Sequence, residues 1–254
     1  MILIKTKKDV DYIKESCKIV AETLLLLKKN VKPGISTFEL DKIAEDYILS
    51  NDARSAFKGY SQGGSLKFPG CICASIDEEV VHGIPNHNRK LNEGEIISLD
   101  CGVVKNNYYG DAAITVVVGQ VSDEKMKLMK ATEESLYKGI AQAVKDNRVH
   151  DISNAVQEYV EANGYSVVRD LTGHGVGKRL HEDPSIPNYG VKGTGAKLKN
   201  GMTLAIEPMV NLGGYKVKML EDGWTVVTND GLPSAHFEHT ILINDGTPEI
   251  LTVA

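Results

Sequence analysis

The feature that most constrains the fold of this 254-residue chain is an internal repeat. Around Lys32 to Thr37 the chain turns. It then places Leu40, Ile43, Ala44, Tyr47 and Ile48 at helical spacing, with Ser36 and Glu39 set as a capping box. About 112 residues later, Lys145 to Arg148 leads into Ile152, Ala155, Val156 and Tyr159, and Asn163-Gly164 ends the helix. An amphipathic helix precedes each: Ile13, Cys17, Val20, Leu24 and Leu27 in one, Met129, Leu136, Ile140 and Val144 in the other. A strand repeats as well, at an offset of about 107: Leu91 to Asp100 aligns with Leu198 to Glu207, each with a Gly turn first and a carboxylate last. The repeat predicts a single α+β domain spanning 1–254, with an antiparallel sheet covered by two helix pairs. Its halves, about 1–120 and 121–254, are related by an approximate two-fold and share one core.

Composition narrows the class further. With 42% hydrophobic and 25% charged residues, 24 Gly and 8 Pro, the chain is neither disordered, collagenous nor coiled-coil. Lys plus Arg total 29 against 34 Asp plus Glu, a net charge of -5 without a basic stripe, which argues against nucleic acid as a partner. The longest apolar run, Leu24 to Leu27, is far below the ~20 residues of a membrane span, and the first residues do not read as a signal peptide. Cys17, Cys71, Cys73 and Cys101 form no paired C-x-x-C spacing, so reduced thiols and a cytoplasmic location are expected.

The acids carry the chemistry. In the strand ending at Asp100, Ile97 and Leu99 point to one side, Ser98 and Asp100 to the other. Asp111 lies in the next strand, Tyr108 to Val118, and a two-residue turn at Lys105-Asn106 would set Asp100 and Asp111 directly opposite each other. Two acids on a solvated face are the competing reading, but both strands are apolar on both sides, which implies burial. The repeat puts Glu207 in the place of Asp100. Glu238, in the expected strand His236 to Ile243, takes that of Asp111. Four buried carboxylates around one centre require cations, and two divalent metals about 3.5–4 Å apart supply the balancing charge.

His174, bracketed by Gly173 and Gly175, completes the set; His181 follows seven residues later, and His82 ends an apolar strand at a Gly83-Ile84-Pro85 turn. His87, His150, His236 and His239 lack such surroundings and read as surface or packing residues.

The segments Val80 to Pro85, Gly173 to Gly177 with His181 and Asn188-Tyr189, Ile206 to Met209, and Glu238 to Thr240 occur in one order along the chain. In these motifs the sequence resembles the type I methionine aminopeptidases of the minimal bacterial kind, with the pseudo-two-fold "pita-bread" (creatinase/aminopeptidase) fold, from Ile4-Lys5-Thr6 to the last strand. The resemblance implies metal ligands at Asp100, Asp111, His174, Glu207 and Glu238, with Asp111 and Glu238 bridging two ions. It also implies that Glu207 is the general base, that His181 bonds the scissile carbonyl oxygen and that His82 contacts the scissile amide. Tyr60, Phe68, Cys73, His82 and Trp224 would line the pocket for the methionine thioether. The expected activity is removal of N-terminal methionine ahead of a small second residue, by metal-activated water attack. Mn, Fe or Co are the expected metals and Zn is compatible. The expected partners are N-termini of nascent polypeptides, with the ribosome a candidate, and the expected state is a monomer without membrane contact.

Three departures stand out: a longer segment at 61–67, which bears on where Phe57 and Phe68 sit; Leu180 where an aromatic is common; and His236 where Gln is common. An X-Pro-specific peptidase of the same fold is the nearest alternative, but such enzymes usually carry a further N-terminal domain, whereas this chain starts at the catalytic fold. A type II enzyme would carry a large insertion, yet only 32 residues separate His174 from Glu207. A metal-free peptide-binding relative is the non-enzymatic alternative.

Overall fold

Each helix pair starts from a turn that the sequence marks. In the computed structural model, which describes residues 1–61 and 63–254, the first half comprises α1 (Lys7–Asn30), α2 (Thr37–Ser50), β1 (Arg54–Ser55), β2 (Cys73–Ile76), β3 (Glu79–Val81), β4 (Ile96–Lys105) and β5 (Tyr108–Val117). The second half opens with α3 (Asp123–Gln142) and α4 (Val149–Ala162). Its strands are β6 (Ser166–Val167), β7 (Thr172–Gly175), β8 (Glu182–Pro187), β9 (Thr203–Ile206), β10 (Met209–Asn211), β11 (Val217–Met219), β12 (Val226–Thr228), β13 (Ser234–His236), β14 (Glu238–Leu242) and β15 (Glu249–Ile250). The Ser36/Glu39 capping box forms: the Glu39 backbone N–H donates to Ser36 Oγ at 3.2 Å, and the Ser36 N–H donates to Glu39 Oε2 at 2.8 Å. At α4 only the reverse half is built, with the Arg148 N–H donating to Asp151 Oδ2 at 2.7 Å.

The repeat extends to the backbone hydrogen bonds. Gly34 N donates to Leu91 O and Leu91 N to Ile35 O, both at 2.8 Å; in the second half Asp146 N donates to Leu198 O at 3.2 Å and Leu198 N to Asn147 O at 2.8 Å. Gly34 and Asp146, in matching positions, both turn at positive φ, 90° and 75°. Isolated bridges, Ser36 to Lys90 and Arg148 to Lys197, tie each turn to the segment leading into its strand.

Among the described residues a nine-stranded sheet runs in the order β1-β4-β5-β14-β9-β7-β8, with β2 added on β4 and β15 on β14. Two small sheets, β13-β10-β6 and β11-β12-β3, flank it. On one face, Ile97, Leu99, Cys101 and Val103 pack with Val20, Leu24, Leu27, Leu40 and Ile48 of α1 and α2. On the same sheet, Leu204, Ile206 and Ile241 pack with Leu136, Ile140 and Ile152 of α3 and α4. Ile114 of β5 touches both clusters, which joins them into one apolar layer. Each large side chain buried there contributes about 1.5–3 kcal/mol.

Two expectations require correction. The β4–β5 turn is Asn106-Asn107, both at positive φ (52° and 62°), as a type I′ turn demands, so Lys105 still pairs with Tyr108. Every pairing is thereby displaced by two residues from the expected register: Asp100 faces Ala113, and Asp111 faces Gly102. The expected strand His236 to Ile243 is broken at Phe237. Thr115 Oγ1 donates to His236 O at 2.8 Å and accepts from His236 N at 3.0 Å, so a side chain replaces the backbone ladder there. β13 therefore leaves the large sheet and pairs with β10, while β14 stays. The four cysteines are free and buried, and no helix among the described residues is long and apolar enough to cross a membrane.

Candidate metal centre

The register explains how the acids meet. Residues directly opposite in a sheet share a face, and so do residues two apart in one strand. Cys73, Asp100, Ala113 and Glu238 lie in one row across four strands. Continuing the β14–β9 pairing one step past His239 and Ile206 sets Glu207 across from Glu238. His174 pairs with Ala205, which pairs with Thr240. Thr240 Oγ1 in turn donates to Asp111 O at 2.7 Å. Asp111 and His174 thus belong to the adjacent row on the same face. All five expected ligands share the face turned away from the helices. Asp100 and Asp111 are diagonal neighbours across the hairpin, not the direct pair that the expected turn would give.

The atoms converge. Single donor atoms of Asp111, His174 and Glu238 lie within 4.8 Å of one another. His174 Nε2 stands 3.7 Å from Asp111 Oδ2 and 3.5 Å from Glu207 Oε1. The other ring nitrogen, Nδ1, lies 2.9 Å from Gly175 O, which can only accept; Nδ1 therefore carries the hydrogen, and the Nε2 lone pair is aimed at the acids. Gly173 and Gly175 permit this placement. A Cβ on Gly173 would stand 2.4 Å from Ala205 O, and one on Gly175 2.3 Å from Asp183 O, so β7 could not fit between β8 and β9 with larger residues.

The charges are unbalanced. Burial pushes the Asp100 carboxyl up to about 7, and burial with the charges of the neighbouring acids pushes Asp111, Glu207 and Glu238 well above the usual carboxylate range. Burial drives His174 and His236 down to about 3 and His82 to about 4, with a neighbouring imidazole adding to each. A neutral His174 cannot neutralise the acids, so its short distances to them are ligand spacing rather than ion pairs. Asp100 Oδ1, Asp111 Oδ1 and Glu238 Oε1 are buried without a hydrogen-bond partner among the described residues. Buried, unpartnered carboxylate oxygens beside a lone-pair imidazole are the donor set of a divalent cation, and the residues fit one.

A cavity of about 260 Å³ opens on these groups and is walled by Phe57, Tyr60, Phe68, Cys73, Leu180 and Trp224. His82 and His181 line it too. His181 lies at its exposed mouth, edge-on to His174 at 4.4 Å between ring centroids, with Nδ1 2.7 Å from the Tyr60 hydroxyl. Trp224 meets Phe68 edge-on at 5.4 Å and His82 at 6.4 Å. Every expected pocket residue reaches this cavity, and Phe57 reaches it as well. Of the segment 61–67, Gln62 lies outside the described residues, and Gly63 to Lys67 are exposed.

His236 does not fit its expected packing role. It is 1% exposed, lines the cavity, and its Nε2 stands 3.8 Å from Glu207 Oε2, without a hydrogen-bond partner among the described residues. Its position two residues before Glu238, on the same face of the expected strand, was the available signal. Leu180, noted only as a departure, forms pocket wall. His87 stacks on Phe38, His150 Nδ1 pairs with Thr194 Oγ1, and His239 Nδ1 with Thr252 Oγ1, all away from the cavity.

Residues 11–245 match the model of metallopeptidase family M24. The chain is 54% identical over 253 residues to the methionine aminopeptidase of Clostridium acetobutylicum, covering 100% of this chain and 99% of that one. The crystal structure of methionine aminopeptidase from Thermotoga maritima is similar over 100% of both chains, with a TM-score of 0.96 and 45% identity. Prolidase from Pyrococcus furiosus shares the fold over 99% of this chain and 65% of its own, with a TM-score of 0.77 and 22% identity.

Proposed function

The chain belongs to metallopeptidase family M24, and from that premise we propose that it is a metal-dependent aminopeptidase that removes N-terminal methionine from nascent polypeptides in the cytoplasm. The observation that carries the reading is the set of buried, unpartnered carboxylate oxygens beside the His174 lone pair, facing an aromatic-walled cavity. Residues 1–254 would act as one unit, because each half contributes ligands to the same centre. Asp100, Asp111, His174, Glu207 and Glu238 would hold two divalent ions, with Asp111 and Glu238 shared between them; oxygen-rich donors with one imidazole suit Mn, Fe or Co and accept Zn. Bound divalent ions lower the pKa of water toward ~7 and polarise a carbonyl oxygen.

The remaining steps belong to the protein's own groups. Glu207 takes a proton from the attacking water and passes it to the leaving nitrogen. Tyr60 beside His181 Nδ1 leaves Nε2 to face the cavity, where an N–H donates to the oxygen of the scissile carbonyl. His82 faces the scissile amide. Phe68, Trp224, Cys73 and Tyr60 surround the thioether, which aromatic rings attract.

The test is a release assay with metal-loaded protein across Mn, Fe, Co and Zn. Met-Gly and Met-Ala peptides should lose methionine, while Met-Lys and Met-Glu peptides resist. Preferential cleavage ahead of proline regardless of the first residue would favour the X-Pro reading. Peptide binding without release in any metal would favour the non-enzymatic one.

A further inference from the structure

Ile4-Lys5-Thr6 has no part in the chemistry above, yet Lys5 makes a deeply buried contact of the N-terminal arm. Its Nζ lies 2.6 Å from Glu182 Oε2, with side chains 6% and 2% exposed. Glu182 follows His181 directly in the chain. Its other oxygen, Oε1, accepts the backbone N–H groups of Lys178 at 2.8 Å and Arg179 at 3.1 Å. One carboxylate therefore closes the loop 176–181 on itself, with Gly177 threaded so tightly that a Cβ there would stand 2.6 Å from Lys5 Cε and 2.9 Å from Glu182 Oε1. The arm is anchored independently, since Lys5 N donates to Gly201 O at 2.7 Å.

From this geometry we propose that Lys5 is a positioning residue: its buried ammonium holds the Glu182 carboxylate that shapes loop 176–181 and so fixes the His181 imidazole at the cavity mouth. The inference rests on the reading of His181 as the group that bonds the scissile carbonyl. A buried carboxylate without its cation must find water or another donor, and the loop that it closes would open with it. The His181 ring is also held by the Tyr60 hydroxyl at Nδ1 and packs edge-on to His174, but neither contact fixes the backbone beneath it. A displacement near 1 Å of such a group is enough to cost about 100-fold in rate.

The experiment is a double-mutant cycle with Lys5→Met and His181→Ala in the metal-loaded enzyme, read as kcat and KM for Met-Ala peptide release. Lys5→Met alone should lower kcat by about 10–100-fold, as loss of a group that orients a functional side chain does, with KM changed less than about threefold. In the His181→Ala background the same substitution should change kcat by less than about twofold. Metal affinity by titration calorimetry should be unchanged, and the His181 ring resonances of 15N-histidine-labelled protein should shift in Lys5→Met while those of His174 hold. Equal losses in both backgrounds, or full activity of Lys5→Met, would overturn the proposal. Full activity of His181→Ala would instead overturn the reading beneath it. Should Lys5→Met fail to fold, Glu182→Gln in the same two backgrounds decides by the same criteria.

Discussion

The two halves hold equivalent acids by different means. In the first half, Asp100 and Asp111 sit in the middle of a hairpin whose strands pair without interruption from Ile96–Val117 to Lys105–Tyr108. In the second half, Glu207 lies just past the end of β9, ahead of Pro208, and Glu238 begins β14 just after the chain has changed sheets. A regular ladder fixes backbone position, so a short Asp carries its carboxylate to a set point. Glu207 and Glu238 stand at strand ends, and each side chain is one methylene longer than Asp. The seam between halves follows the same contrast: β5 and β14 pair at only Glu238–Ala113 and His239–Ala112, flanked by the hydroxyls of Thr115 and Thr240 inserted between strands. The uninterrupted hairpin sets the frame, and the interrupted half brings Glu207, the acid proposed above to carry the proton.

The largest expected effect tests that division directly. Glu207→Gln keeps the shape and one metal-binding oxygen but cannot take a proton, so kcat should fall by about 10²–10⁴-fold while circular dichroism stays unchanged. Near-normal kcat would remove Glu207 from proton transfer and with it the contrast between framing and reacting acids.

A smaller effect is expected at the seam. Thr115→Val keeps the side-chain shape but leaves His236 N and O without their partner, at a cost of about 1–3 kcal/mol in urea denaturation. Because His236 faces Glu207, the variant should also lower kcat more than it weakens metal binding, measured by calorimetry. Unchanged stability would mean that the wedge is incidental and that β13 leaves the sheet for another reason.

Legibility in the sequence followed the same line. The capped helices, the repeated turns and the face of the four acids could be read, because each rests on local chemistry or on a period of two. The hairpin register could not: Lys105-Asn106 and Asn106-Asn107 both make plausible two-residue turns, and only the positive φ of both asparagines decides between them. That shift by two left the acids on the same face, since two is the period of a strand. His236 itself stands two residues before Glu238 on the same face of the expected strand, and reads as packing only for want of flanking glycines. The sheet change at Phe237 could not be read, because it depends on Thr115, which is distant in sequence. Lys5 and Glu182 were equally invisible as a pair, being 177 positions apart.

The smallest effect separates the halves at their helix starts. α1 begins with a reciprocal Thr6/Asp9 box, and the Tyr108 hydroxyl also bonds Asp9, tying that helix to the hairpin turn. α4 has only the half from the Arg148 N–H to Asp151, and its start is tied instead to the segment 193–197, through Arg148 to Gly195 O and through the Gly193 N–H to Asp151. Hydrogen bonds from the Thr6 hydroxyl, the Tyr108 hydroxyl and the Thr6 backbone hold the Asp9 carboxyl down, from 3.8 to about 2. A depressed folded-state pKa means that its stabilisation is full above pH ~4 and is lost as pH falls toward 2. In metal-stripped protein the site acids have the opposite sign, since their raised pKa values favour the folded state at low pH and disfavour it as pH rises toward Asp100's value of about 7. The two contributions occupy separate windows and can be read from one series of urea midpoints. Asp9→Asn should flatten the fall between pH 4 and 2 and leave the rise of instability above pH 4 intact. Parallel curves for the wild type and Asp9→Asn below pH 4 would show that the Thr6/Asp9 cap adds no pH-dependent stability to the first half's helix.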